Sequence, residues 1–146
     1  MKKLILIVLI CFLVLGCEKE KTFYLDDNCY GENAITEIDN KKLKELEKND
    51  ASFIIFIYQP MCTTSYNFNN VLTNFSKQHD IELYKITYAN IKDSSLAKHI
   101  KYFPSVAIYQ EGIVATYLDP NKEEDIQYYE SVDGFKEWLT QYVLLK

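Results

Sequence analysis

Apolar positions along the chain alternate between continuous strand-like runs and helix-spaced stripes. Residues 53–58, Phe-Ile-Ile-Phe-Ile-Tyr, are apolar without a break and rich in β-forming side chains, which predicts a central strand buried on both faces. Directly after Cys62, the residues Phe68, Val71, Leu72 and Phe75 fall at i, i+3, i+4 and i+7, one face of a helix. Residues 34–38 read as a short edge strand. Asp39 or Asn40 is placed to cap a helix over 40–48 that turns Leu43 and Leu46 inward, and Asn49-Asp50 ends it. A strand is expected over 81–87 and a short helix over 93–101, the helix burying Leu96, Ala97 and Ile100. Two further strands, 106–109 and 113–118, flank Gln110-Glu111-Gly112, which is hairpin turn chemistry. A polar loop over 119–130 leads to a last helix over 132–144, with Val132, Phe135, Trp138, Leu139 and Tyr142 on one side. The order β-α-β-α-β-α-β-β-α predicts an α/β domain with a mixed central sheet and helices on both faces.

Composition changes this picture little. The 146 residues suggest one domain with a core of ordinary size. Lysine supplies every positive side chain, the formal net charge is −5, and there is no basic stripe. Nucleic acid is therefore not an expected partner. No internal repeat and no low-complexity tract occurs.

The first residues change the picture more. Lys2 and Lys3 precede an apolar run over 4–15, twelve residues against the ~20 that a membrane-crossing helix needs. The run ends in Val14-Leu15-Gly16-Cys17, followed by polar Glu18-Lys19-Glu20. This resembles the lipobox of bacterial lipoproteins, with Val in place of the commoner Leu three before the cysteine. The resemblance implies cleavage before Cys17, lipidation of that cysteine, and a domain held on the extracytoplasmic face of the cell membrane. An uncleaved anchor is the other reading, and it too puts the domain outside the cytoplasm. The expected division is a signal peptide over 1–16, a lipidated cysteine and polar tether over 17–33, and the folded domain over 34–146. Of the four cysteines, Cys11 then leaves with the signal and Cys17 carries lipid. Cys29 and Cys62 remain as thiols, in a compartment that permits disulfides.

Cys62 stands at the junction between the central strand and the helix that follows. Backbone N–H groups and the helix dipole favour a thiolate there. The residues 53–65, ending in Cys62-Thr63-Thr64-Ser65, resemble the strand and active-site segment of the thioredoxin superfamily, with Ser65 at the second cysteine of its Cys-x-x-Cys. The residues 100–112, Ile-Lys-Tyr-Phe-Pro-Ser-Val-Ala-Ile-Tyr-Gln-Glu-Gly, resemble the family's second signature, and Pro104 matches its cis-proline. The resemblance runs from about Ala34 to Leu144. It implies a thioredoxin-like sheet, Cys62 as nucleophile, Ser65 as the hydroxyl that stabilises the thiolate, and Pro104 as guide for an extended substrate backbone. Three departures are visible: Ser65 for cysteine, Met61 for the usual tryptophan before the cysteine, and Phe56 for the acid buried beneath it. A dithiol cycle within the motif is excluded, because no neighbouring thiolate can attack a mixed disulfide on Cys62.

Two functions follow as expectations. One is monothiol exchange with thiol- or disulfide-bearing proteins outside the cytoplasm. The other is a non-catalytic thioredoxin-fold module that binds a protein partner without covalent chemistry, a class that thioredoxin-like accessory proteins of bacteriocin export resemble. Cys29 is a possible resolving thiol, although the resembled fold puts it at the far end of the sheet, and a disulfide needs Cα atoms within ~7 Å. No cofactor is expected. Asp119, Asn121, Asp125 and Glu130 occupy positions 1, 3, 7 and 12 of a calcium-loop pattern, but Glu124 stands where glycine is needed, so the segment reads as an acidic loop and not a metal site. His79 and His99 read as solvated. Tyr58, Tyr66, Tyr102 and Tyr109 are candidates for lining a groove.

Overall fold

The structure, a computed structural model, describes residues 21–146. The signal-like run, Gly16 and Cys17 lie outside the described residues. Among those described, no helix is long and apolar enough to cross a membrane.

Five strands form one sheet: β1 (Ile35–Glu37), β2 (Ile54–Tyr58), β3 (Leu83–Thr87), β4 (Ser105–Gln110) and β5 (Ile113–Leu118), in the order β1-β3-β2-β4-β5. The first three run parallel, and β4 is antiparallel to both of its neighbours, β2 and β5. The helices are α1 (Asn40–Lys48), α2 (Thr63–His79), the single turn α3 (Leu96–His99) and α4 (Val132–Leu139). This is the expected mixed α/β sheet, covered on both faces.

Strand alternation separates the two faces. Phe56 meets Phe68 of α2 at 5.8 Å between ring centres, and Phe68 and Phe75 both meet Phe135 of α4 edge-on. On the other face Phe53 stacks on Tyr109 at 4.4 Å, and Tyr109 donates to Glu47 of α1, which Ser95 beside α3 also reaches. Asp39 caps α1 as expected, accepting from the Lys42 N–H at 2.8 Å. The hairpin turn needs left-handed backbone at both Glu111 (φ 50°) and Gly112 (φ 75°). A Cβ on Gly112 would clash with the Glu47 carbonyl oxygen, so glycine is required there on two counts.

Three expectations are corrected. The tether expected over 17–33 is part of the domain from Phe23 onward. Phe23 forms a bridge with Val143, Leu25 and Cys29 are buried in the core, and Tyr30 bridges Ile81. Tyr30 accepts from the Leu25 N–H and donates to the Leu144 carbonyl, while Lys146 pairs with Asp27. The aromatic and apolar residues scattered through this polar segment lack periodicity because they form a strap, not an element. The last helix ends at Leu139 and not at 144, because the following residues turn back so that Phe23 donates to the Tyr142 carbonyl and accepts from the Leu144 N–H. The helix expected over 93–101 is one turn of α3 after a 3-10 turn at Tyr88–Ile91. Ser94 directs its hydroxyl back to the Ile91 carbonyl at 2.7 Å.

Candidate functional site

The chain leaves β2 at Tyr58 and reaches α2 at Thr63 through Gln59-Pro60-Met61-Cys62. Met61 adopts a left-handed backbone (φ 62°) and is fully exposed. Left-handed backbone is costly for a residue with a Cβ, by about 1–2 kcal/mol. That turn sets Cys62 at the N-cap of α2, half-exposed, with its carbonyl accepting from the Tyr66 N–H at 2.9 Å.

The thiol is held by hydroxyls and the first helical N–H groups. Thr64 Oγ1 lies 3.0 Å from Sγ. Cys62 is lowered from 9.0 to about 7, by the Thr64 hydroxyl first, then by the Ser65 N–H and hydroxyl. Ser65 is almost entirely buried, at 2% exposure, and its Oγ also accepts from the Gln59 N–H at 3.2 Å. Ser65 thus closes the turn before the helix as well as facing the sulfur. Thr64 is the contact that sequence reading missed, and its signal was a hydroxyl two residues past a cysteine at a helix start.

Beneath the turn lies Phe56, fully buried, stacked on Tyr58 and edge-on to Phe68. There is no acid at this position to serve as a base. Pro104 is buried, and the Phe103–Pro104 bond is cis.

Two cavities flank the start of α2. One, of about 430 Å³, holds Cys62, Gln59, Tyr58, Tyr66, Asn69 and Lys85 among its walls. The other, of about 410 Å³, is lined by Phe103, Pro104, Phe68, Tyr129 and Ile126 together with Thr64. Thr64 therefore touches the sulfur and also walls the groove of the cis-proline. Tyr58 and Tyr66 line the first cavity, and Tyr102 lines neither. Tyr109 does not, being fully buried on the opposite face of the sheet. Asp125 is turned inward, accepting from the Asp119 N–H at 2.9 Å, so that carboxylate fixes its own loop.

This geometry decides the fold. A buried parallel-antiparallel sheet carries a cysteine at a helix start beyond its central strand, and a cis-proline opens the neighbouring strand. The chain has the thioredoxin fold. A mutant thioredoxin from Halobacterium salinarum superposes with a TM-score of 0.57 at 14% identity, over 80% of this chain and 96% of that one. Thioredoxin f from spinach chloroplast gives 0.55 at 15% identity, over 83% and 96%. The J-Trx1 fragment of ERdj5 gives 0.55 at 14% identity over 73% of this chain, which spans only 50% of that fragment. No family model matches the sequence, and no curated protein does. At such identities the likeness is one of fold.

Within the thioredoxin fold, Cys29 is placed far from Cys62. Its carbonyl accepts from the Glu82 N–H and its sulfur lies 3.8 Å from the Ser52 carbonyl, before β3 and β2 begin. Cys62 lies beyond the other end of β2. The strand alone spans ~17–20 Å, well past the ~7 Å limit for a disulfide. The structure therefore removes Cys29 as a resolving thiol, and both thiols are free.

Cys29 is 1% exposed, and burial, then the charges of Asp26 and Glu82, push its thiol up to about 12. In the native domain it is expected to resist iodoacetamide at pH values where Cys62 labels fully, and to label once the domain is unfolded in urea. The unfolded chain ionises this thiol near 9.0 and the folded chain only near 12, so Cys29 contributes a loss of stability as pH rises across that window. Labelling of native Cys29 at the rate of Cys62 would show that the strap opens.

Proposed function

We propose that the chain is an extracytoplasmic protein, anchored to the membrane through Cys17, that exchanges its single active-site thiol with disulfides of secreted or envelope proteins. The observation that carries this reading is the Cys62 thiol, half-exposed at the start of α2 and lowered to about 7. Lipidation rests on the resemblance of residues 14–17 to a lipobox. Cys62 is the nucleophile. Its thiolate attacks one sulfur of a partner disulfide, forming a Cys62–partner bond while the other sulfur leaves as a thiolate. An external thiol then attacks the mixed disulfide, and Cys62 is released as the leaving group. Thr64 and Ser65 stabilise it in both roles, because a better-solvated thiolate is also a better leaving group. Pro104 shares its groove with Thr64, whose hydroxyl meets the sulfur, and would guide an extended substrate backbone there.

The test is the rate of iodoacetamide alkylation against pH in the soluble domain, with Cys29→Ser as background. The expected midpoint is about 7. Thr64→Val, which keeps the shape and removes the hydroxyl, is expected to raise it further than any other single change at the turn. A midpoint at or above the ~8.5 of a free cysteine would overturn the reading. The same shift has a stability counterpart. Cys62 ionises more easily folded than unfolded, so its contribution is present above 9.0 and is lost as pH falls through about 7.

A non-covalent binding module is the second reading. The apolar side chains around the thiol favour it: Met61, Tyr66 and Ile126 are all exposed, as is Tyr102, two residues before Pro104. Cys62→Ser separates the two, since a binding module keeps its biological output and a thiol enzyme loses it.

A further inference from the structure

The cavity beside Cys62 contains one feature that the exchange chemistry does not use. Lys85 sits on β3, the strand flanked by β1 on one side and β2 on the other, opposite Phe56 in the ladder. A lysine so placed buries its aliphatic stem, here with 26% of the side chain exposed, and brings its ammonium out where solvent begins. Lys85 lines the 430 Å³ cavity that Cys62 also lines. Among the described residues, it is the only charged one in the walls of that cavity. Its nearest carboxylate, Glu37 on the edge strand, has Oε2 at 3.8 Å, the outer limit of an ion pair, while its Oε1 accepts from the Tyr58 hydroxyl at 2.6 Å. Lys85 Nζ also lies 5.4 Å from the centre of the Tyr58 ring.

The cavity falls within the ~300–1,000 Å³ of small-molecule sites. It has a nucleophilic sulfur at one place, a loosely paired cation at another, and the amides of Asn69 and Gln59 between apolar walls. In an acidic chain of net charge −5, such a loosely paired cation in the thiol's cavity selects by sign.

We propose that this cavity binds a low-molecular-weight disulfide carrying a carboxylate, of cysteine or short-peptide size, with the carboxylate on Lys85 and a sulfur on Cys62. This rests on Cys62 being a reactive thiol and adds the class of its small partner. The step balances without another reagent. The Cys62 thiolate bonds to one sulfur of RS–SR, the S–S bond breaks, and the second RS⁻ leaves to take a proton from water. Cys62 is oxidised to the mixed disulfide as the leaving half is reduced. A carboxylate-bearing thiol runs the same step backwards and frees Cys62, so the cavity serves both capture and release.

The experiment uses the full chain in detergent, at low salt, with adducts on Cys62 located and timed by peptide mass mapping. Three probes differ in charge: glutathione disulfide (anionic), hydroxyethyl disulfide (neutral) and cystamine (cationic). Each rate is divided by that of the same disulfide with free mercaptoethanol. The anionic probe is expected to exceed the neutral one by about threefold to fivefold, and the neutral one to exceed the cationic, with the spread shrinking as salt rises. Lys85→Gln is expected to collapse the order. Lys85→Met, which keeps the buried stem, must do the same, and guards against a folding defect in the first variant. An order absent in the natural chain, or surviving both substitutions, overturns the proposal while leaving exchange at Cys62 intact. No adduct with the neutral probe overturns thiol exchange itself, and this inference falls with it.

Discussion

A Ser65→Cys variant is expected to turn over disulfide substrate where the natural chain stalls. On the proposed exchange, Cys62 attacks once and the mixed disulfide then waits for an outside thiol, because Cys29 lies at the other end of the sheet. Ser65 Oγ occupies the place from which a second sulfur would attack: one helical turn on, buried, and facing both the thiol and the Gln59 N–H. Intramolecular attack from a well-oriented group reaches effective concentrations of ~10⁵ M or more, so even a poorly aligned sulfur outruns a millimolar external thiol. In reduction of insulin disulfides driven by dithiothreitol, the variant should exceed the natural chain by about a hundredfold. Two costs follow from the same contacts. Removing the hydroxyl leaves the Gln59 N–H without its acceptor in a site 2% exposed, about 1–3 kcal/mol of stability. Phe56 beneath the turn offers no base for the new thiol, and burial disfavours its thiolate, so the gain should grow with pH. A variant no faster than the natural chain would mean that two sulfurs at this turn cannot meet, and would favour the binding reading of the surface.

The sheet was legible in the sequence because its strands are unambiguous by period. The unbroken run at 53–58, short and rich in β-branched and aromatic residues, reads as a strand buried on both faces, and the i, i+3, i+4, i+7 stripe after Cys62 reads as a helix packed on one. The Gln110-Glu111-Gly112 turn was legible through its glycine, which takes left-handed backbone without steric cost. The N-terminal segment was misread because its contacts are non-local. Tyr30 reaches Leu144 across 114 positions, and no local window contains that bond. Cys62 and Pro104 were found by their surroundings in sequence, but the sulfur's main partner was not. Thr64 matters because the left-handed turn at Met61 tips the N-cap so that the i+2 hydroxyl meets Sγ, a geometry that residue types alone do not specify. Lys85 was hidden for a related reason. One charge in a strand reads as surface until the sheet order shows that the strand is interior.

Phe68→Ala is expected to be the most destabilising single change near the site, at about 3–5 kcal/mol. Phe68 is 2% exposed and touches three rings: Phe56 under the thiol turn, Tyr129 at 4.4 Å between centres, and Phe135 of α4. Its removal leaves a void bounded by the sheet, α4 and the loop before it, three elements whose backbones are fixed by their own hydrogen bonds and so collapse little. Against a total of about 5–15 kcal/mol, the loss should lower Tm by roughly 10 °C or more. Val71→Ala on the same helix is the control. Val71 is half-buried, and its truncation should cost about 1 kcal/mol. The larger effect reaches the chemistry by a direct route. Phe68 packs the start of α2 onto Phe56, and the helix's first N–H groups and hydroxyls hold the thiol near 7. It also walls the groove that contains Pro104. The alkylation midpoint of Cys62 should therefore rise in Phe68→Ala and stay in place in Val71→Ala, in urea titrations and pH profiles run on the same samples. A full loss of stability with an unmoved midpoint would mean that the turn at Met61-Cys62 is held by its own bonds to Gln59 and Tyr66. The site would then be rigid independently of the core beneath it.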